Sequence, residues 1–428
     1  MSRAIDYTAK FEHLRQQPLF QKLDTDQQQA LKRIAFEYRL TFQEFRTLVE
    51  ASRDLRMWGE PDLDQWWREQ EAQSSLKKAQ LKVYLFQQLR EYLDALKSKP
   101  ARYPAHPLPP PQRERSRSIR REESDKAIMG MCPVASPQTV CCNLRTIDVV
   151  ENCPLGCSYC IIQTFYQENI RFDAAFAEKL KRLELDPHRF YHIGTGQSSD
   201  SLLWDNRYGV LEAICQFAAD HPHVLMELKT KSDQIRYMLE NEIPPNVVCS
   251  WSLNTPTIIE NEEHFTASLE RRLAAARAVA DKGIRVGFHF HPMIHYAGWE
   301  VEYPAVAQRL IDQFHPAEVV FISFGSLTLI KPAVKAIREQ GNPTKILQTQ
   351  FSTDPLGKLT YSDEIKIALF RTLYQAFTPW QEEVFFYLCM EKASIWKALF
   401  GTVYESNEQF EQEFGRHTLK KIKVSSLI

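Results

Sequence analysis

Between Arg145 and Glu339 the sequence alternates short β-branched or aromatic runs with segments of helical periodicity. The runs are Thr146–Val150, Arg189–Gly194, Val224–Thr230, Val247–Asn254, Arg285–His291 and Val319–Phe324. The intervening helices are predicted over Asp173–Leu185, Gly209–Ala219, Asp233–Leu239, Leu269–Asp281, Val301–Phe314 and Pro332–Glu339. Strand and helix in strict alternation predict a parallel sheet with crossover helices. Six units, where a closed TIM barrel has eight, predict an α/β fold of the partial (β/α)6 barrel type. In such barrels, functional residues gather at the C-terminal strand ends.

Side chains alternate across a strand, and three successive runs show one apolar and one polar face. Met226 and Leu228 oppose Glu227 and Lys229, with Lys231 just beyond. Trp251 and Leu253 oppose Ser250, Ser252 and Asn254. Phe288 and Phe290 oppose His289 and His291. A fully packed parallel sheet is apolar on both faces. The polar faces are therefore expected to line a cavity and the aromatics to lie under the helices. A water-facing side on some of these strands is the alternative.

The first run leads straight into Glu-Asn-Cys-Pro-Leu-Gly-Cys-Ser-Tyr-Cys, which places thiols at Cys153, Cys157 and Cys160. Pro154 and Gly156 suit a tight turn. Three thiolates in so short a loop can hold three corners of a [4Fe–4S] cubane and leave the fourth iron open to a small molecule. A structural zinc loop is the alternative, although zinc ordinarily takes a fourth protein ligand.

The C-x3-C-x2-C spacing is similar to the signature of the radical S-adenosylmethionine (SAM) superfamily. Within it, the chain resembles the spore photoproduct lyase family from about Arg145 to Leu359. The resemblance rests on Cys153–Thr164, on Arg272–Ala276 with Arg277, and on Gly287–Trp299. Leu388–Glu391 with Trp396 is also similar to relatives in this branch. It implies a [4Fe–4S] cluster on the three cysteines and SAM on the open iron. One electron then releases a 5′-deoxyadenosyl radical, and the protein's part is binding and orientation. It also implies a reduced flavodoxin or ferredoxin-type donor, and DNA as a substrate to consider. Matching positions suggest SAM contacts at Ser199, Asp200, Lys231, Ser252 and His291, and place Tyr159 near the adenosyl end. Two positions depart from the family pattern. Gln197 stands where the lyase has its hydrogen-donor cysteine, and Ile161 replaces a tyrosine after the last cluster cysteine. These departures argue against the lyase's own radical relay.

The remaining chain sets the domain expectation. Residues 1–97 read as a helical domain, with capping boxes expected at Thr25/Gln28 and Thr41/Glu44 and a long helix over Leu76–Leu96. Residues 98–127, rich in proline and carrying Arg113, Arg115, Arg117, Arg120 and Arg121, read as a solvated linker that could also touch phosphates. The barrel is expected over 128–340 and a C-terminal extension over 341–428. Cys132, Cys141 and Cys142 could bind a second metal or be ordinary thiols. His289, His291 and His295 raise the same question, with hydrogen bonding to substrate or SAM as the alternative. Cys215 and Cys389 read as core, and Cys249 on the fourth run, or another thiol, could substitute for the lyase's missing hydrogen donor.

Composition narrows the class further. The 428 residues are 44% hydrophobic and 25% charged with net charge −1, which gives no overall pull toward nucleic acid or membrane. No secretory start and no apolar run of about 20 residues is visible, and nine cysteines in this length do not make a disulfide scaffold. A reducing cytoplasm is the expected setting. Three functions fit: a radical SAM enzyme with an altered reaction, a lesion-processing lyase on DNA, or a non-catalytic iron–sulfur or zinc platform.

Overall fold

The computed structural model describes residues 7–110, 118–132, 138–165, 169–354 and 356–422. An eight-stranded sheet forms its centre: β1 (Met129–Met131), β2 (Arg145–Ile147), β3 (Tyr191–Thr195), β4 (Val224–Thr230), β5 (Val247–Ser252), β6 (Val286–Met293), β7 (Val319–Ser326) and β8 (Phe385–Leu388). The strands lie side by side in chain order. β1 pairs antiparallel with β2, and every later pairing is parallel. The result is an open, curled half-barrel with helices on its outer face.

The expected units are present, with three differences. β2 stops at Ile147, and Val150–Glu151 instead joins a small sheet with Ile170–Asp173 and Ile119–Glu122. The barrel does not end at 340, because β8 lies within the expected C-terminal extension and adds a seventh parallel strand beside β7. Residues 98–127 are not simply a solvated linker. Ala101 bridges to Tyr296, Tyr103 donates to Glu262 at 2.7 Å, and Leu108 N donates to Asn261 at 2.8 Å. The reason is visible only in three dimensions: the segment from Ala101 to Leu108 lies against the barrel, where its backbone and tyrosine find partners. Arg113, Arg115 and Arg117 lie outside the described residues, and Arg120 and Arg121 are exposed.

The outer face of the sheet is packed as its aromatics predict. Phe288 meets Phe314 at 5.3 Å and Phe290 meets Tyr303 at 6.4 Å, both from the segment that follows β6. Ser268 caps the Leu269–Asp281 helix through Arg271 N.

The N-terminal segment folds as helices, the longest being Thr25–Tyr38, Phe42–Trp58, Leu63–Gln73 and Lys78–Lys97. Thr41 and Glu44 form the capping box at the second of these. At the first the box is Asp24 with Gln27, one residue before the expected pair, because the Asp24 side chain accepts from Gln27 N at 2.8 Å. This unit docks on the barrel through a bidentate fork from Arg338 to Asp54 (2.8 and 2.7 Å) and a bond from Arg338 to Glu50 (3.0 Å). Thr344 N also donates to Met57 O at 3.0 Å. Among the described residues, no helix is long and apolar enough to cross a membrane.

Candidate active site at the barrel mouth

The cysteine loop leaves the β2 end of the sheet and turns over its C-terminal edge. Cys160 N donates to Cys157 O at 3.1 Å, which closes the turn. Gly156–Cys157 then pairs antiparallel with Glu263–His264, a two-residue strand lying between β5 and β6 in the chain. Ser158 N donates to Glu262 O at 2.8 Å. The loop is thus held by backbone bonds to a segment a hundred residues away.

Two adjacent carboxylates extend this clamp in opposite directions. Buried Glu262 accepts from Tyr103 (2.7 Å), Thr344 (2.6 Å) and Lys345 N (2.8 Å). Buried Glu263 accepts from Tyr159 Oη, from Lys231 Nζ at 2.9 Å and pairs with Arg272 at 2.6 Å. Burial alone would raise the Glu263 carboxyl, but Lys231 and Arg272 outweigh it and bring it down to about 2. Lys231 also donates to Tyr159 Oη at 2.8 Å. Arg272 is fully buried and spends its other donors on Ala267 O, Ser252 O and Thr266 Oγ1 at 2.6–2.8 Å. A buried guanidinium with every side of its fork matched is the arrangement that offsets its desolvation.

Asp200, on the loop after β3, fastens the loop from the other side. Its carboxylate accepts from Leu202 N, Leu203 N, Thr230 Oγ1 and Lys231 N at 2.6–3.1 Å. Its own amide, with that of Leu155, hydrogen-bonds the Cys153 sulfur. Ser199 accepts from Trp204 Nε1 at 3.0 Å. A small recess opens here, lined by Val150, Ser198, Ser199, Asp200 and Trp204 among others.

The three thiols are half-buried and electrostatically coupled, Cys153 to Cys160 and Cys157 to both. Burial pushes Cys153 up to about 12 and Cys157 well above its ordinary value. Such thiols need a compensating positive centre to ionise. Among the described residues no three His, Cys, Asp or Glu side chains converge to hold a single metal ion. A multi-iron cluster spreads its ligands over several metal atoms, and the donor set here, three coupled thiols with backbone amides on one sulfur, suits that group.

Below the mouth the polar strand faces do converge. Glu227 accepts from Ser250 (2.5 Å) and meets His192 (2.7 Å) and His289 (2.5 Å). His289 bonds Ser323 through its other nitrogen at 2.5 Å. Burial pushes Glu227 up, but the two imidazoles more than reverse it and hold the carboxyl well below its usual range. Phe414, from the Asn407–Ile422 helix, packs on His192 at 5.1 Å and on Phe321 at 5.7 Å and closes the floor.

The expected site residues thus fall into two sets. Tyr159, Asp200 and Lys231 are committed to the clamp. Ser252 sits at the end of β5 opposite His289, and His291 is half-buried on the lumenal face of β6. The three histidines do not gather: His289 is bound to Glu227, and His295 packs between Trp299 and Tyr361 at 6.0 Å each. Cys132, Cys141, Cys142 and Cys389 do come near one another, with Cys141 and Cys142 sharing a hydrogen bond. Glu262, Glu263 and His192 were not singled out from the sequence, and Arg272 only as part of a family motif with no role. Only a carboxylate pair just before the Leu269–Asp281 helix hinted at the first two.

A curled α/β half-barrel with a three-cysteine loop at its mouth defines the structural class. The family model for spore photoproduct lyase matches residues 144–358, half of the chain, and the chain belongs to that family. Spore photoproduct lyase of Geobacillus sp. (strain Y412MC61) is 23% identical over 232 residues, 51% of this chain and 68% of that protein. The Clostridium acetobutylicum lyase is 23% identical over 181 residues, 41% of this chain and 54% of that one. The chain thus spans little more than half the length of the latter. Among solved structures, a spore photoproduct lyase mutant with bound AdoMet and dinucleoside spore photoproduct superposes with a TM-score of 0.54 at 21% identity. The match covers 63% of this chain and 82% of that one. A second mutant, with dinucleoside spore photoproduct, gives 0.55 over the same shares. These likenesses establish a shared fold.

Proposed function

We propose that this protein is a radical SAM enzyme acting on a lesion in DNA. Cys153, Cys157 and Cys160 would hold a [4Fe–4S] cluster, which with SAM and one electron supplies a 5′-deoxyadenosyl radical. The observation that carries this reading is the cysteine loop fastened at the strand-end mouth of a polar lumen. Relatives of known structure bind AdoMet and a dinucleoside lesion, which supports the same ligand classes here. A flavodoxin or ferredoxin-type donor and a cytoplasmic setting complete the proposal.

The chain's own residues have distinct tasks in it. Glu263, Lys231 and Arg272 keep Tyr159 and the loop in place, and Asp200 orients Cys153 through its amide. Ser252, at the end of β5, is a group available to SAM's ribose or adenine. Depth in the half-barrel, sealed below by Phe321 and Phe414, keeps water from the reacting centre.

Gln197 and Ile161 favour an outcome other than the lyase's direct reversal, because neither can give up a hydrogen atom as a thiol or phenol does. The test is anaerobic reconstitution with iron and sulfide, followed by dithionite and SAM. Formation of 5′-deoxyadenosine with about four irons per chain is the expected result. Neither product nor iron in the wild type sinks the reading. Salt-dependent binding of lesion-bearing DNA tests the substrate class.

A further inference from the structure

Among the described residues, Lys229 on the polar strand face is without a counter-charge. Lys229 lies on the inner face of β4, two residues before Lys231 and so roughly 6.6 Å deeper along the strand. It is half-buried. Among the described residues its ammonium makes no hydrogen bond and no ion pair, although it is electrostatically coupled to His289, His291 and Cys389. The carboxylate two residues away on the same strand face, Glu227, is already taken by His192, Ser250 and His289. Lys231, by contrast, is spent on Glu263 and Tyr159. A half-buried ammonium without a partner costs free energy unless an anion joins it.

His291 stands beside it in the same condition, with neither ring nitrogen hydrogen-bonded among the described residues. Burial and the nearby Lys229 keep this imidazole neutral, so it retains one N–H to donate. Two glycines make the space. At Gly325 a Cβ would come within 2.5 Å of the His291 ring, so only glycine lets the imidazole lie along β7. At Gly196, with φ +95°, a Cβ would come within 2.8 Å of Lys229 O, so the turn after β3 packs closely on the backbone of β4 at the lysine.

We propose that Lys229 and His291 form an oxyanion site within the lumen, separate from the clamp at the mouth. A carboxylate or phosphate there would receive a charge-assisted bond from Lys229 and a neutral N–H from His291. The two sources are the carboxylate of SAM and a phosphate of the substrate. The assignment rests on the lumen being the reaction chamber, and it deepens the proposed function by naming what the chamber binds.

The experiment is anaerobic calorimetric titration of the cluster-loaded full chain with SAM, decarboxylated SAM and inorganic phosphate. It compares the wild type with Lys229→Met and Lys229→Arg. The methionine variant is expected to weaken one oxyanion ligand about tenfold or more, the scale of a charge-assisted bond, and the arginine variant to restore it to within about threefold. Loss for SAM, with decarboxylated SAM bound equally by wild type and variant, assigns the carboxylate. Loss for phosphate, with SAM unaffected, assigns a substrate anion. Equal affinities in wild type and Lys229→Met, or no saturable binding of either oxyanion, overturns the site. Melting curves check folding, and Lys229→Gln serves if the methionine variant does not fold. Measurement of 5′-deoxyadenosine in the same wild-type samples separates the two failures. Binding that depends on Lys229 without that product leaves this site standing and the radical reading fallen.

Discussion

The floor and the mouth of the half-barrel each bury a carboxylate, and they do so in opposite ways. Glu227 on the floor is met by two imidazoles and a serine, and the aromatic plug of Phe321 and Phe414 covers it. Glu263 at the mouth is met by two full cations and a phenol, and it holds a loop that came from elsewhere in the chain. The floor is built from side chains that the successive strands β3 to β7 present to one face. The mouth is assembled from β4, the Leu269–Asp281 helix, the cysteine loop and the Glu263–His264 bridge. A polar group set between strands seals the barrel, whereas one set between loops determines where the thiols lie.

This contrast can be broken by substitution. Cys157→Ala should have the largest effect, loss of cluster iron and of SAM cleavage to background with the melting temperature of the iron-free protein little changed. If the variant keeps its iron, the loop is not the anchor. On the floor, Glu227→Ala leaves two imidazoles and Ser250 without their acceptor and should cost about 3–5 kcal/mol, read by urea unfolding. A loss under about 1 kcal/mol would mean that water replaces the carboxylate there.

Glu263→Gln should cost less, about 2–3 kcal/mol, because the amide keeps one acceptor for Tyr159 or Lys231. It should also lower the iron content of the reconstituted protein, an effect not expected of Glu227→Ala. The same carboxylate sets a pH dependence. Its folded value, about 2, lies below its ordinary 4.5. The stability it contributes is therefore complete above about pH 4.5 and is lost as the pH falls toward about 2. Glu263→Gln should flatten that part of the acid-unfolding curve, and an unchanged curve would remove Glu263 from the clamp. The smallest effect is expected where neither region is touched. Arg338→Ala, at the docking of the helical unit, should cost about 1–2 kcal/mol and leave iron binding unaltered.

Much of this was legible in the sequence, for a physical reason. The Val224–Thr230 strand and the Leu269–Asp281 helix fall where the periodicity of their residues puts them, since burial of one face is a local property of the pattern. The two-sided character of β4, β5 and β6 was readable in the same way, and so was the cysteine loop, whose chemistry lies within eight residues. What spacing along the chain could not settle was pairing across it. Nothing near Glu262 or Glu263 says that one reaches Tyr103 and Thr344 and the other Lys231 and Arg272. Nor does the proline-rich stretch say that Ala101 and Tyr103 will lie against the barrel, or Phe385–Leu388 that it will add a strand to the sheet. Local periodicity encodes which face a residue presents. Only the closing of the chain on itself decides which charges meet, because a buried ion pair depends on distance in space and carries no pattern in sequence.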